Sequence, residues 1–492
     1  MNILLIYPKY PNTFWSFGEV LKYVSKKAAV PPLGLLTVAS LLPKNWNKKL
    51  VDLNVRKVKE EDIEWADMIL VSAMIIQKKS AQIITKYCKL KGKIVVAGGP
   101  LFTSGYKDFK YVDHFVLGEG EITIPLFLND LKKGKPKKIY YSEERPDITK
   151  TPVPMWSLIN VKEYVTIPVQ YSRGCPFNCE FCDIVIMNGR IQRTKNPNQM
   201  IKEMQAVYDT GWRGPLFIVD DNFIGNSSNA KKFLPELIKW QKQHKYPFSI
   251  MTEASINLAE DDELMKLMSN ANFYKVFLGI ETPNLESLKE CSKHQNTKKD
   301  LVESIKIIHR AGIQVMGGFI IGFDNDTEKI FKRQIKFIQK IGVVTAMVGV
   351  LIALPKTRLW KRLKLEGRIL EKITAGENEG ESNFIPKMGE ERLKEGYKEV
   401  IGSLYSSKSY YQRINQFIKD YKPTVRIKVN KNELIALIKS IFRIGIVSKS
   451  RFRFWKLLSK TFFTNTKALP TAIELAILGQ HFQRMAKINV LG

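Results

Sequence analysis

Short apolar runs alternate with amphipathic stretches along most of the chain. In the first 135 residues, NILLIYP (2–8), KLVDLNV (49–55), MILVSAM (68–74), KIVVAGGP (93–100) and HFVLGEGE (114–121) read as strands. Segments 34–42, 78–91 and 121–133 repeat their apolar positions with helical spacing. Strands alternating with helices imply an α/β fold with a parallel, doubly wound, Rossmann-like sheet. Ligands of such sheets lie beyond the carboxyl ends of the strands. Those ends carry Ser72, Gly98, Gly99, Gly118, Glu119 and Gly120.

A basic stretch, KKGKPKK (132–138), and a Pro-rich one, RPDITKTPVPMW (145–156), mark a boundary. The alternation then resumes with VTIPVQY, PLFIVDDNF, FSIMTEAS, KVFLGIET, QVMGGFIIGF and AMVGVLIALP as strands. Helical spacing lies between them, near 197–209, 229–243, 260–271, 298–311, 326–341 and 357–366. Six β/α units predict a partial (β/α)6 barrel, whose chemistry sits at the carboxyl ends of its strands. Asp220, Asp221, Asn222, Glu253, Glu281 and Asp324 fall there. Beyond residue 370 the pattern becomes helical, over 381–418 and again over 434–463. The expected organisation is a ligand-binding domain at 1–140, a linker at 141–164, a barrel at 165–368 and a mainly helical extension with a basic tail at 369–492.

Composition adds three constraints. The 492 residues carry a formal net charge of +30, and residues 421–492 hold 14 Lys/Arg against two acids, Glu433 and Glu474. Such a field favours anionic surfaces or substrates. The basic aromatic tail is compatible with an interfacial helix on anionic lipid, and equally with a packed helix whose cations are solvated. No apolar run reaches the about 18–20 residues that span a bilayer, and no secretory signal opens the chain. The expected location is the cytoplasm, with peripheral contact at the inner membrane face through the tail. The five cysteines do not form a disulfide framework, because three crowd into residues 175–182.

Those three stand in SRGCPFNCEFCD (172–183) with C-x3-C-x2-C spacing. A zinc site draws four ligands, usually from two pairs, and no second pair follows. Three thiolates bind three irons of a 4Fe–4S cluster and leave the fourth open. Cys88 and Cys291, and the scattered His114, His244, His294, His309 and His481, read as structural. No Ser/His/Asp set or paired acid and base appears, so no side chain is assigned as catalytic.

CPFNCEFC on the loop after a first barrel strand resembles the signature of radical S-adenosylmethionine (SAM) enzymes. The resemblance implies that Cys175, Cys179 and Cys182 bind the cluster, that SAM chelates the open iron, and that Phe181 packs near the adenine. By place on the barrel it implies SAM-binding roles for Asp220, Asp221 and Asn222 (strand two), Glu281 (strand four), and Gly318 and Gly322 (strand five). GGFIIGFD lacks the Glu that often follows this motif in the family. PPLG (31–34), AGGP (97–100) and GEGE (118–121) are similar to recurrent stretches of cobalamin-binding domains. They imply Pro32, Gly34, Ser72, Gly98, Gly99, Gly118, Glu119 and Gly120 as cobalamin-binding positions. No Asp-x-His-x-x-Gly motif is present, so no histidine is expected beneath the cobalt. With GWRGPLFIVDDNFIGN, ALPKTRLWKRLKLEGRI and NFIPKM, the chain resembles a B12-binding radical SAM subfamily with a C-terminal helical extension, one that includes hopanoid C-2 methylase. Lys356 and Arg358 depart from the Pro-Gly-Thr-Pro common at the end of strand six.

The resemblance implies the following reaction. An electron from the cluster cleaves SAM into methionine and a 5′-deoxyadenosyl radical. The radical removes hydrogen from an unactivated carbon, and methylcobalamin donates the methyl group. An isoprenoid lipid or other small molecule is the expected substrate, and a flavodoxin or ferredoxin the expected electron donor. Nucleic acid is not an expected partner, and the methylthiotransferase reading lacks its N-terminal cysteines. Two alternatives stay open: a cobalamin-dependent cyclase or coupling enzyme without methyl transfer, and a basic membrane- or RNA-associated scaffold. Tyr7, Tyr10, Trp15 and Phe17 read either as a cofactor-lining cluster or as packing.

Overall fold

The structure is a computed structural model that describes residues 1–14, 16–370, 380–424 and 431–491. Trp15 lies outside them. The chain forms two compact units, each assembled from several segments. The first comprises Met1–Asn12, Lys26–Val169 and Arg193–Arg213; the second comprises Thr13–Ser25, Gln170–Gln192 and Gly214–Gly492.

In the first unit, six strands form one sheet: β1 (Asn2–Tyr7), β2 (Asn47–Asp52), β3 (Met68–Ser72), β4 (Ile94–Gly98), β5 (His114–Val116) and β6 (Ile139–Tyr140). Their order is β2-β1-β3-β4-β5-β6, every neighbouring pair parallel. Successive residues of a strand face opposite sides. Leu4, Ile6, Ile69, Val71 and Val95 therefore build one core, and Ile3, Leu5, Met68, Leu70 and Val96 the other. Burial on both faces explains why these strands are continuous apolar runs rather than alternating ones. The sheet order reverses direction between β1 and β3, which places a crevice beyond their carboxyl ends.

β2 stops at Asp52, three residues short of the apolar pattern. The Asp52 carboxylate accepts the Asn54 backbone N–H (2.9 Å) and the Tyr164 hydroxyl (3.1 Å). This local turn competes with the ladder and ends the strand. HFVLGEGE likewise gives only the three-residue β5, because a helix begins at Gly120.

In the second unit, five strands form a sheet: Gly214–Ile218, Phe248–Ala254, Phe273–Glu281, Gln314–Ile321 and Ala346–Val350. They lie side by side in chain order, all parallel. Helices Ser227–Gln243, Asp262–Asn270, Leu301–Arg310, Lys329–Ile341 and Arg358–Leu365 intervene or follow. Strands alternate with helices in chain order, as the pattern of a partial (β/α)6 barrel predicted.

The extension is helical. The stretch 381–418 splits into Glu390–Leu404 and Ser407–Asp420, since Ser406 caps the second helix by accepting the Ser409 N–H (3.3 Å). Lys431–Ser440 continues as a π-helical turn over Ile441–Val447, and Arg451–Thr464 and Leu469–Ala486 follow. The last helix buries Leu475, Ala476 and Phe482. His481 on it bonds the Phe14 carbonyl through Nε2 (2.9 Å). Phe17 packs on His481 and Phe482, so its role in the second unit is packing. Among the described residues no helix is long and apolar enough to cross a membrane.

Candidate functional site

The cysteine loop is held at three points, all in the second unit. At its start the buried Asp220 carboxylate accepts the backbone N–H groups of Tyr171 (2.8 Å) and Ser172 (2.9 Å) and the Ser172 hydroxyl (2.7 Å). Asp221 accepts the Gly174 N–H (2.7 Å) and the Asn188 amide (2.9 Å). At the far side Glu180 forks with Arg362, Nε to Oε1 at 2.8 Å and Nη2 to Oε2 at 3.2 Å. The Glu180 backbone also bonds Cys291 O (2.8 Å) and Leu359 N (3.0 Å).

Only glycine fits at 174. Its φ is +97°, and a Cβ there would stand 2.8 Å from Ile191 O and 2.9 Å from Gly189 O. The loop can therefore fold back over its own entry and present the three cysteines.

Cys179 is buried, and Cys175 and Cys182 are half-buried. Burial raises the Cys175 thiol and pushes Cys182 up to about 12, each also sensing Cys179. Thiols so placed are protonated near neutrality and lose the proton when a metal binds. Two side-chain amides already donate toward sulfur: Asn222 Nδ2 to Cys175 (3.9 Å) and Gln295 Nε2 to Cys179 (3.8 Å). Among the described residues no three His, Cys, Asp or Glu side chains stand close enough to hold one ion. Three thiols spread along one loop, two of them within electrostatic reach of Cys179, suit a polynuclear cluster, in which each iron takes one thiolate. Cys291, also near Cys179, turns its thiol into an apolar core and donates to Leu288 O (3.5 Å). Cys88 lies in the core of the first unit. The loop fits a cluster held by three thiolates.

Around the loop the expected polar residues converge. Asp220, Asp221 and Glu253 crowd together. Burial, then the neighbouring Asp221 and Asp220 charges, pushes Glu253 up to about 8. Burial lifts Asp220 to about 7 against the hydrogen bonds it accepts. Asn222 is buried and also donates to Ser255 Oγ (3.1 Å). Glu281 sits at φ +64° where the strand register shifts, and its carboxylate pairs with Lys293. Burial disfavours the Lys293 charge, yet the Glu281 carboxylate, and after it Cys179 in its thiolate form, outweigh this and raise its pKa. Lys293 also stands over the Phe181 ring (5.9 Å), which packs against Phe323 (6.4 Å between centroids). Gly322 donates its N–H to Asp326 (3.0 Å), and Gly318 lies in the adjoining strand against Phe277. Asp324 is held down at about 2, where Arg368 and Arg362 overcome its burial.

A cleft of about 460 Å³ opens beside the loop, lined by Phe177, Asn178, Arg190, His294, Lys298 and Arg358 among others. Arg358 donates to Asn178 O (3.1 Å).

In the first unit, Ser72 and Gly98 are register partners on β3 and β4. A Cβ on Gly98 would stand 2.6 Å from Val116 O, and one on Gly99, at φ +89°, would stand 2.4 Å from Ser72 Oγ. Gly118 donates its N–H to Thr103 (3.0 Å). Gly120 opens a helix that packs on Leu33–Leu41, with Val38 3.5 Å from where its Cβ would stand. Pro32 caps Leu33–Leu41, and Gly34 lies exposed in its first turn, where a Cβ would meet nothing within 4 Å. Ser72, Gly98, Gly99, Gly118, Glu119 and Gly120 thus end or follow strands β3, β4 and β5, whereas Pro32 and Gly34 open a helix. Glu119 alone is already engaged: its carboxylate forks with Arg193 (2.8 and 3.1 Å) and faces Arg145 (3.7 Å).

Sequence reading missed Lys293, Gln295, Gln192, Glu180 and Arg362. Gln192 reaches Ser172 Oγ (2.7 Å) and Asn222 O. Glu180 had a signal, an acid inside the cysteine motif. The others lie far from their partners in sequence.

Residues 169–338 match the model of the radical SAM superfamily, and residues 357–491 match a domain of unknown function (DUF4070). An uncharacterised methyltransferase of Synechocystis sp. is 42% identical, over 99% of this chain and 92% of that one. Hopanoid C-2 methylase of Rhodopseudomonas palustris is 33% identical, over 92% of this chain and 88% of that one. Among solved structures, the cobalamin-dependent S-adenosylmethionine radical enzyme OxsB with aqua-cobalamin bound aligns with a TM-score of 0.64. It covers 99% of this chain and 84% of that one at 16% identity, a likeness of fold.

Proposed function

Because the chain belongs to the radical SAM superfamily, we propose that it is a cobalamin-dependent methyltransferase acting on an unactivated carbon of a lipid-like small molecule. The observation that carries this reading is the loop with three thiols and no fourth, fixed at the carboxyl ends of the barrel strands. When bound, the cluster supplies the electron that cleaves SAM, and cobalamin carries the methyl group.

Cys175, Cys179 and Cys182 would hold the cluster. The Asn222 and Gln295 amides offset charge on two of the sulfurs, and Lys293 adds a cation beside them. Asp220 and Asp221 keep the loop backbone in place. Glu281, oriented by Lys293, would accept from the ribose hydroxyls of SAM, and Phe181 against Phe323 would face its adenine. Gly318 and Gly322 would leave room for the nucleoside. In the first unit, Pro32, Gly34, Ser72, Gly98, Gly99, Gly118 and Gly120 would line cobalamin, the glycines letting it approach the backbone. Glu119 would act there through the Arg193 fork rather than as a free carboxylate.

The methyl transfer draws support from the methyltransferase names of both relatives, and the isoprenoid lipid from the one named for hopanoid C-2 methylation. A one-electron donor of the flavodoxin or ferredoxin kind would supply the cluster. The test is anaerobic purification with iron, sulfide and cobalamin quantified, followed by reductant and SAM. The reading expects a brown protein with cobalamin bands that forms 5′-deoxyadenosine. A colourless protein that leaves SAM intact would overturn it.

A further inference from the structure

The extension carries a surface that the barrel chemistry does not use. Leu434, Ile438, Phe442 and Ile446 follow one another four residues apart, on Lys431–Ser440 and the π-helical turn that continues it. Phe452, Trp455 and Phe462 follow at spacings of three and seven on Arg451–Thr464, with Phe463 and Val447 beside them. Each of these nine side chains is between 46% and 83% exposed. They include every strongly exposed Phe and Trp among the described residues.

The two helical pieces are locked together. The Trp455 indole N–H donates to Gly445 O (3.0 Å), while Phe454 and Leu457 are fully buried on the opposite face. The apolar face is therefore presented by a packed element. Cations interleave with it: Lys439, Arg443, Lys449, Arg451, Arg453, Lys456 and Lys460, with no acid between 434 and 463. Lys439 bonds Ser25 and the Lys22 carbonyl, and Arg443 lies over Tyr23. The other five are exposed; Arg451 lies over the Phe452 ring (5.0 Å), and Arg453 reaches Ser407 Oγ (3.5 Å).

We propose that this face docks on the surface of an anionic lipid bilayer. Aromatic and aliphatic side chains backed by Lys and Arg match an interfacial element, which buries apolar groups at the acyl boundary and pairs its cations with headgroups. The aliphatic members, Leu434, Ile438, Ile446 and Val447, argue against RNA, which offers them no hydrocarbon. A second copy would bring like charges face to face. The inference stands apart from the methyl-transfer reading and gives a lipid-like substrate a place to be met.

The experiment uses full-length protein and sedimentation with vesicles of phosphatidylcholine, with and without phosphatidylglycerol. Two double variants accompany it, Phe452→Ser with Phe463→Ser and Lys456→Gln with Lys460→Gln. Circular dichroism and SAM cleavage confirm that both are folded and that the chemistry is intact. Wild-type protein is expected to partition onto phosphatidylglycerol vesicles, about tenfold or more better than onto phosphatidylcholine alone, and to come off in high salt. Each lysine removed costs about fivefold in partition, and loss of the two phenylalanines costs at least about tenfold. No partition onto anionic vesicles, or equal partition of all three proteins, would overturn the proposal. So would binding to an RNA homopolymer without vesicle binding, or a dimer that the phenylalanine variant dissolves.

Discussion

Glu180, between the second and third cysteines, forks with Arg362 from a helix 182 positions away (2.8 and 3.2 Å). The pair ties the cysteine loop to helix Arg358–Leu365, and Arg362 reaches on to Asp324 (2.9 Å). One guanidinium thus fixes the loop and a strand end together. Arg362→Ala removes both bonds of the fork, worth about 3 kcal/mol if each contributes about 1.5. The expected outcome is protein that folds but retains less iron after gel filtration. Arg362→Lys keeps the charge without the planar fork and falls between. Unchanged iron in both variants would show that the loop is held elsewhere.

Asp220 accepts three hydrogen bonds while buried. Asp220→Asn turns an amide N–H₂ toward donors, and each buried donor left unpaired costs about 1–3 kcal/mol. A lower melting temperature and lower iron content are expected, by thermal unfolding and metal analysis. Wild-type values in Asp220→Asn would remove Asp220 as the loop's anchor.

Glu253 is pushed by burial, and then by Asp221 and Asp220, from 4.5 to about 8. Between those values the folded state binds more protons than the unfolded one, so stability falls as pH rises from about 4.5 to about 8. Asp220, raised to about 7, adds a slope of the same sign. Melting temperatures measured across that range should decline, and Glu253→Gln should flatten the decline. An unaltered profile in the variant would assign it to other groups.

Gly34 and Gly99 separate fold from cofactor. A methyl group on Gly34 meets no atom within 4 Å, so Gly34→Ala should leave thermal unfolding unchanged or slightly improved. If cobalamin approaches that backbone, titration will nonetheless show weaker cobalamin binding. Gly99→Ala puts a Cβ on Ser72 at φ +89° and should lower stability by about 1–3 kcal/mol. Equal cobalamin binding by wild-type protein and Gly34→Ala would take residue 34 out of the cofactor's path.

The parts of the fold and site that sequence reveals are those encoded locally. Three cysteines at fixed spacing, apolar runs of strand length, and glycines or acids closing them are all visible within a few residues. The parts hidden are those made by distance. Lys293 finds Glu281 through a loop, and Arg362 finds Glu180 across most of the barrel. Helix Leu469–Ala486 escaped because it is apolar on most of its surface and buried between neighbours, leaving no clear periodicity. The apolar pattern of β2 overruns the strand because the Asp52 turn, not the pattern, terminates it.

The central claim is tested most directly with SAM carrying a deuterated methyl group. The anaerobic, cobalamin-loaded protein is given this SAM, a reductant and a lipid extract from cells lacking the gene, and the products are read by mass spectrometry. The account predicts a lipid bearing the deuterated methyl, with 5′-deoxyadenosine and S-adenosylhomocysteine formed in equal amounts and only when cobalamin is present. Formation of 5′-deoxyadenosine with no S-adenosylhomocysteine, all label remaining in methionine, would contradict methyl transfer and point to radical chemistry of another kind.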